Sequence, residues 1–142
     1  MAINFYSEKI VFVLKNKSRI RKLLKIIAEE EAKNISDVNY IFCSDAYLYK
    51  LNKKWLGHNT YTDVISFPLS DNPEIIAGEI YISINRIRDN AKKFNSSFDD
   101  ELLRVIIHGM LHLCAYEDIT KQQKSRMTAL EDKYLIAFNL ID

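Results

Sequence analysis

Glycine, proline and cysteine are scarce in this chain of 142 residues, which contains three, two and two of them respectively. So few cysteines exclude the disulfide framework of small secreted proteins, and we expect Cys43 and Cys114 to be reduced and buried. So few glycines and prolines exclude a flexible linker or a low-complexity tract. We therefore predict a single domain over residues 1–142, whose turns rely on Asn, Asp and Ser.

The chain also lacks a long apolar run and an N-terminal leader pattern. No stretch approaches the roughly 18 apolar residues needed to span a membrane, and no basic segment followed by an apolar stretch opens the sequence. The apolar fraction of 48% and the charged fraction of 27% are those of an ordinary globular protein. We therefore expect a cytoplasmic protein with no membrane partner.

Positive charge is concentrated in the first part of the chain, although the formal net charge is only +1. Residues 1–60 contain 11 of the 20 basic residues but only 6 of the 19 acidic ones. A basic surface of this kind is suited to phosphate groups. A solvated helix face is the alternative for the run between residues 15 and 25. The basic residues of interest are Lys15, Lys17, Arg19, Arg21, Lys22 and Lys25, then Lys50, Lys53 and Lys54.

The hydrophobic pattern predicts an α+β fold, a small mixed β-sheet of about four strands covered by helices. Ser44 is a suitable N-cap for the second helix, and the polar turn at residues 70–73 indicates a hairpin. We predict strands at residues 2–6, 10–14, 38–43, 64–69 and 75–82. We predict helices at residues 16–33, 44–55, 84–94, 98–114 and 121–138.

The helix at residues 98–114 has almost no polar face, so it is predicted to be the buried central helix. It carries His108 and His112, which lie on one face because they are four residues apart. Buried polar groups need partners. One interpretation is a pair of hydrogen-bonded core histidines. The other is a metal site, which the carboxylates in the following turn favour.

Two imidazoles and one carboxylate can hold a metal ion and leave a coordination position open, as catalytic metal sites do. Gly109 follows His108 at the position where zinc peptidases of the HExxH type have a catalytic glutamate. Glycine cannot act as a base, so this pattern argues against peptide hydrolysis. Cys114 points to the opposite side of the helix and is interpreted as a core thiol.

Three segments of the sequence together resemble one known family. Residues 108–118, His-Gly-Met-Leu-His-Leu-Cys-Ala-Tyr-Glu-Asp, resemble the motif His-Gly-x-Leu-His-Leu-x-Gly-Tyr-Asp-His of the YbeY family of bacterial rRNA maturation factors. Residues 62–68, Thr-Asp-Val-Ile-Ser-Phe-Pro, resemble a second block of that family, and residues 78–80 resemble its Gly-Asp-Ile strand. The order and spacing of the three segments match, and the likeness covers most of the chain.

The resemblance implies a metal-dependent endoribonuclease that is specific for single-stranded RNA, with a fold related to zinc peptidases. It implies a role in rRNA maturation, at the 3′ end of small-subunit rRNA, and in ribosome quality control, with the small subunit as a partner. It places one zinc ion per chain on His108, His112 and Asp118. Because the third ligand is aspartate where the family has histidine, Mn or Fe would also suit the site. Glu117 is a rival ligand.

Two further positions depart from the family pattern. Ala115 replaces a glycine where the helix is expected to end with a positive φ, so either the helix ends differently or strain is stored there. Leu56 replaces an arginine that is associated with the nuclease function, and leucine cannot bind phosphate. Lys53, Lys54 or His58 could take over part of that role.

The remaining predictions concern the base and the RNA contacts. The general base would come from another loop, from the substrate or from the metal hydroxide itself. Asp63 and His58 are the candidate residues, although an exposed loop position alone would also explain His58. The candidate RNA-binding residues are Lys53, Lys54, Trp55, Lys22 and Lys25. Two other functions stay open: a ribosome-assembly or RNA-binding factor with a structural metal, and a metal-dependent hydrolase of another substrate.

Overall fold

The computed structural model describes residues 2–142, and in that range strands and helices form an α+β fold, as predicted. The elements are β1 (Ala2–Glu8), α1 (Lys17–Glu30), β2 (Asn34–Cys43), α2 (Asp45–Leu56), β3 (Val64–Pro68), β4 (Ile75–Ser83), α3 (Ile84–Lys93), α4 (Phe98–Leu113) and α5 (Lys121–Asn139). No helix in residues 2–142 is both long enough and apolar enough to cross a membrane.

The four strands form a mixed sheet in the order β1-β2-β4-β3. β1 is parallel to β2, and β2 is parallel to β4. β3 lies at the edge and is antiparallel to β4, which confirms the predicted hairpin. Side chains alternate between the two faces of the sheet. One face packs on the main core with α1, α3, α4 and α5, and the other on a small cluster under α2 that contains Cys43, Leu48 and Ile65.

The prediction of a strand at residues 10–14 is wrong. β1 ends at Glu8, and Lys9 then turns the chain with a φ of 60°. The apolar alternation is real, because Ile10 and Phe12 pack against the core whereas Val11 is 96% exposed. These residues form no strand because the turn at Lys9 directs the chain away from the edge of the sheet, where it could have paired with a neighbouring strand. An alternating pattern therefore describes burial here without β pairing.

β2 begins at Asn34, four residues before its predicted start. The pairing with β4 shifts between Ile35, which lies opposite Ile76, and Val38, which lies opposite Gly78. Three residues of β2 thus advance against two of β4, an irregularity of the β-bulge type. It interrupts the alternation on which the sequence prediction depends.

Helix α4 is the buried central element, as predicted. It begins after Ser97, whose hydroxyl accepts from the Asp100 N–H, and it packs against α3, α5, β3 and β4. Gly109 lies close against the sheet. A Cβ added there would lie 2.7 Å from Ile80 Cγ2, so this side of α4 has no room for a glutamate or any other side chain. The histidines occupy a different face.

Both cysteines are free and buried, as expected. Burial is the largest cause that raises the pKa of each thiol, to about 12. Neither is a reactive thiolate at neutral pH.

Candidate active site

The three predicted ligands converge at the C-terminal end of α4. The Nε2 atoms of His108 and His112 lie 2.9 Å apart. Asp118 reaches both rings, with Oδ2 3.3 Å from His108 Nε2 and Oδ1 3.6 Å from His112 Nε2. One donor atom from each of the three residues lies within 4.8 Å of the others, so the group could hold a metal ion.

Asp118 reaches the histidines because the chain reverses sharply after α4. The Ala115 N–H donates to His112 O, and the Tyr116 N–H donates to Leu111 O, the two bonds of a Schellman motif. Ala115 has a φ of 75°, a conformation that glycine adopts freely. Alanine there costs about 1 kcal/mol. Of the two outcomes predicted for Ala115, the structure shows stored strain.

The Nδ1 atom of each histidine, the ring nitrogen that faces away from the other histidine, already has a hydrogen-bond partner. His112 Nδ1 lies 2.9 Å from the carbonyl oxygen of Tyr116, and His108 Nδ1 lies 2.7 Å from Glu131 Oε2. A carbonyl and a carboxylate only accept, so both Nδ1 atoms carry the proton. In the neutral rings, each Nε2 therefore directs a lone pair toward the same space. A cation between them would satisfy both.

The two histidines have different electrostatic environments. Burial lowers the pKa of His108, but the hydrogen bond and charge of Glu131, with help from Asp118 and Asp63, outweigh it and leave that pKa raised. Burial and the neighbouring His108 lower the pKa of His112. His112 is therefore unprotonated at neutral pH, the state that a metal ligand requires.

The rival carboxylate, Glu117, points elsewhere. Its Oε2 accepts from Gln123 Nε2 at 3.2 Å, at the start of α5. Among residues 2–142, Asp118 and not Glu117 belongs to the group that could hold a metal.

A cleft of about 630 Å³ lies over the three residues and contains both candidate bases. The Asp63 carboxylate accepts from Asn90 Nδ2 at 3.4 Å. Burial raises the pKa of Asp63, although His108 acts in the opposite direction. His58 lies on the exposed loop that follows α2. The residues that line the cleft include Leu56, His58, Tyr61, Asp63, Ser66, His108, His112, Tyr116 and Asp118.

The family model described as Endoribonuclease YbeY matches residues 2–139 of the chain. The chain belongs to the YbeY family. A curated endoribonuclease YbeY of Christiangramia forsetii is 43% identical over 140 residues, 97% of this chain and 95% of that protein. A second, from Cytophaga hutchinsonii, is 44% identical over 133 residues, 94% of this chain and 93% of that protein. The solution structure of a Thermotoga maritima protein superposes with a TM-score of 0.67 at 30% identity, covering 96% and 89% of the two chains.

Leu56, which departs from the YbeY pattern, is the last residue of α2 and lines the cleft. Lys53 and Lys54 stand in the last turn of the same helix. Trp55 is 61% exposed, and Lys54 Nζ lies 5.1 Å from the centre of its ring. Basic and aromatic groups thus lie beside the cleft, although these three residues do not line it.

The structure does not bring Lys22 and Lys25 to the cleft. Both are exposed on α1, and Lys22 Nζ donates to the backbone oxygen of Asp142 at 3.3 Å. That end of the chain follows α5, whose first turn lies near Asp118. A helix of 19 residues is about 28 Å long, so Lys22 lies far from the metal group.

Glu131 is the site residue that sequence reasoning missed. It lies on α5, is almost fully buried and contacts His108 directly. A signal was present, because Glu131 falls on the apolar face of α5 between Met127 and Tyr134, where a carboxylate needs a partner. The Tyr116 carbonyl gave no such signal, because every residue has a backbone carbonyl and its position depends on the fold.

Proposed function

We propose that this YbeY-family chain is a metal-dependent endoribonuclease that cleaves single-stranded RNA. Its role would be rRNA maturation, at the 3′ end of small-subunit rRNA, together with ribosome quality control. The curated relatives are named endoribonucleases, which supports an RNA substrate for this chain. We propose that residues 1–142 form one domain for this activity, with the small ribosomal subunit as partner.

The observation that carries the proposal is the pair of facing Nε2 atoms, 2.9 Å apart, with Asp118 beside them. Both Nδ1 atoms already have hydrogen-bond acceptors, so the two Nε2 atoms remain available to bind a cation. Two imidazoles and a carboxylate are zinc ligands, and we propose one zinc ion per chain on His108, His112 and Asp118. The same donor set would accept Mn or Fe. When bound, the ion would polarise the scissile phosphate and acidify water.

The proton acceptor would be Asp63. Its carboxylate lies in the cleft, and its raised pKa brings its basicity closer to neutral pH, which favours general base catalysis. Helix α4 offers no base at the position after His108, because Gly109 lies against Ile80 with no room for a side chain. His58 is a second candidate on the loop that borders the cleft.

Lys53, Lys54 and Trp55 would hold the RNA at the rim of the cleft. Cations in the last turn of α2 would contact phosphates, and the exposed indole would stack on an unpaired base. Binding of this kind weakens steeply with salt. Lys22 and Lys25 would contribute only if the RNA extended round the molecule to α1.

Metal analysis combined with RNA cleavage tests the proposal. Purified protein is expected to contain about one metal ion per chain and to cleave single-stranded RNA until a chelator is added. His108→Ala and His112→Ala should lose both the metal and the cleavage, and Asp118→Asn should bind the metal more weakly. Glu117→Gln is the matched control and should keep both. A metal-free wild type whose cleavage ignores the chelator would contradict the proposal.

Leu56 favours one alternative, an RNA-binding or ribosome-assembly factor with a structural metal. Its apolar side chain occupies a cleft position where a cation would assist phosphate chemistry. That function predicts RNA binding without cleavage and a metal with no water ligand. X-ray absorption at the metal edge, measured beside the cleavage assay, separates the two functions.

A further inference from the structure

Glu131 engages His108 from a different helix. Its Oε2 lies 2.7 Å from His108 Nδ1, and its side chain is only 8% exposed. An ionised carboxylate is costly to bury without partners, so a buried glutamate at this position requires compensation.

Arg104 compensates the charge of Glu131. Arg104 Nη1 donates to Glu131 Oε1 at 2.9 Å, while its Nη2 donates to Asp132 Oδ1 at 2.6 Å. The two oxygens of Glu131 are thus divided between two donors, one on Arg104 and one on His108. This arrangement holds the carboxylate in a single orientation, with one oxygen toward each donor.

His108 and His112 therefore differ in the hydrogen-bond acceptor of their Nδ1 atoms. His112 Nδ1 donates to a neutral backbone carbonyl, whereas His108 Nδ1 donates to a buried anion. A carboxylate behind an imidazole fixes its tautomer and increases the electron density on its other nitrogen. That other nitrogen, Nε2, is the atom that faces His112 and Asp118.

We infer that Glu131 is a positioning residue for the metal centre, and that Arg104 holds it in place. Glu131 keeps the proton on His108 Nδ1, aims Nε2 at the shared space and makes His108 the stronger of the two histidine donors toward a divalent cation. The inference rests on the proposed function, because it assumes that the three residues bind a metal. Loss of such a partner typically weakens metal binding by about 10- to 100-fold.

The test is the zinc affinity of Glu131→Gln, which keeps the shape of the side chain but removes its charge. Zinc dissociation constants are measured on metal-free protein by competition with a chromophoric chelator at fixed pH. We expect binding about 10- to 100-fold weaker than in the wild type. Asp132→Asn is the matched control, because it removes the charge of the exposed partner of Arg104, and Asp132 does not contact His108. It should change the zinc affinity little.

A purely structural role gives a different result. Glu131→Gln would then lower the free energy of unfolding of the metal-free protein while leaving the zinc affinity of the folded protein unchanged, which overturns the inference. A wild type that binds no zinc overturns both the inference and the proposed function. A wild type and a variant that bind zinc equally well overturn the inference alone.

A second measurement needs no variant and covers the case in which Glu131→Gln fails to fold. Nitrogen-15 NMR of the histidine rings in the metal-free wild type reports which ring nitrogen carries the proton. At a pH where His108 is neutral, we expect its proton on Nδ1. A proton on Nε2 overturns the inference.

Discussion

Ala115 shows how one residue can limit stability and still shape the site. Its φ of 75° costs about 1 kcal/mol relative to glycine, yet the turn that it forms brings Asp118 to the histidines. Ala115→Gly should relieve the strain, while greater freedom of the unfolded chain offsets part of the gain. We expect the free energy of unfolding to rise by about 0.5 kcal/mol, measured by urea denaturation of the metal-free protein.

Ala129 provides the matched control for this change. It is exposed in the interior of α5, where glycine lowers stability by about 1 kcal/mol. The two alanine-to-glycine changes should therefore have opposite signs. A loss of stability in both would show that Ala115 stores no strain.

Leu56 is the position at which we expect a single substitution to increase the rate of RNA cleavage. It is 45% exposed, ends α2 and lines the cleft, so a longer side chain can extend toward a bound phosphate. Leu56→Arg should raise kcat/KM for single-stranded RNA by about tenfold through charge stabilisation. Leu56→Met, which adds no charge, is the control. Equal rates in both variants would show that a cation at this position does not assist cleavage.

The metal group was predictable from sequence, whereas its support was not. Spacing places His108 and His112 on one face of any helix, and the family pattern supplies Asp118. Glu131 lies 23 residues from His108 along the chain, and only the packing of α5 on α4 joins them. The Tyr116 carbonyl depends on the backbone turn. Such contacts follow from tertiary structure and leave little trace in local sequence.

At the scale of elements, helices were predicted better than strands because their ends carry local signals. Ser44 accepts from the Tyr47 N–H and begins α2 where its residue type indicates. The segment at residues 10–14 has the alternation of a strand but no partner strand, and β2 contains a pairing shift. Pairing is a property of two segments, so a pattern in one of them does not decide it.

The start of α5 connects an element boundary to the metal group. Thr120 and Gln123 form a capping box, and the Gln123 side chain also contacts Glu117, next to Asp118. Thr120→Ala should lower the free energy of unfolding by about 1 kcal/mol. It should also weaken zinc binding, because the first turn of α5, whose Gln123 side chain contacts Glu117 beside Asp118, is held less firmly without the Thr120 cap. Both quantities are measured on the same preparation, by denaturation and chelator competition.

Ser97→Ala is the control for this prediction. Ser97 caps α4 at the end opposite to the histidines, so its loss should cost similar stability. Its zinc affinity should stay that of the wild type. If both variants lost zinc affinity equally, global stability rather than the turn at residues 117–120 would determine metal binding.

At the scale of the whole molecule, the fold does not depend on the metal group for its core. The main core lies between the sheet and four helices, and the ligands sit at one end of α4. This differs from a zinc finger, which is unfolded without its metal. Metal binding should instead add stability to a protein that is already folded.

Metal removal tests this view of the molecule. A chelator should leave the far-ultraviolet circular dichroism spectrum at 25 °C unchanged but lower Tm. Free zinc at 100 to 1,000 times Kd adds about 3–4 kcal/mol to the free energy of unfolding, and the chelator removes that increment. His112→Ala, which lacks a ligand, should melt at the same temperature with and without chelator. Loss of the spectrum on chelation would make the metal a requirement for folding. An unchanged Tm in the wild type would mean that zinc does not bind the native state tightly, because any ligand that binds only the folded protein must stabilise it.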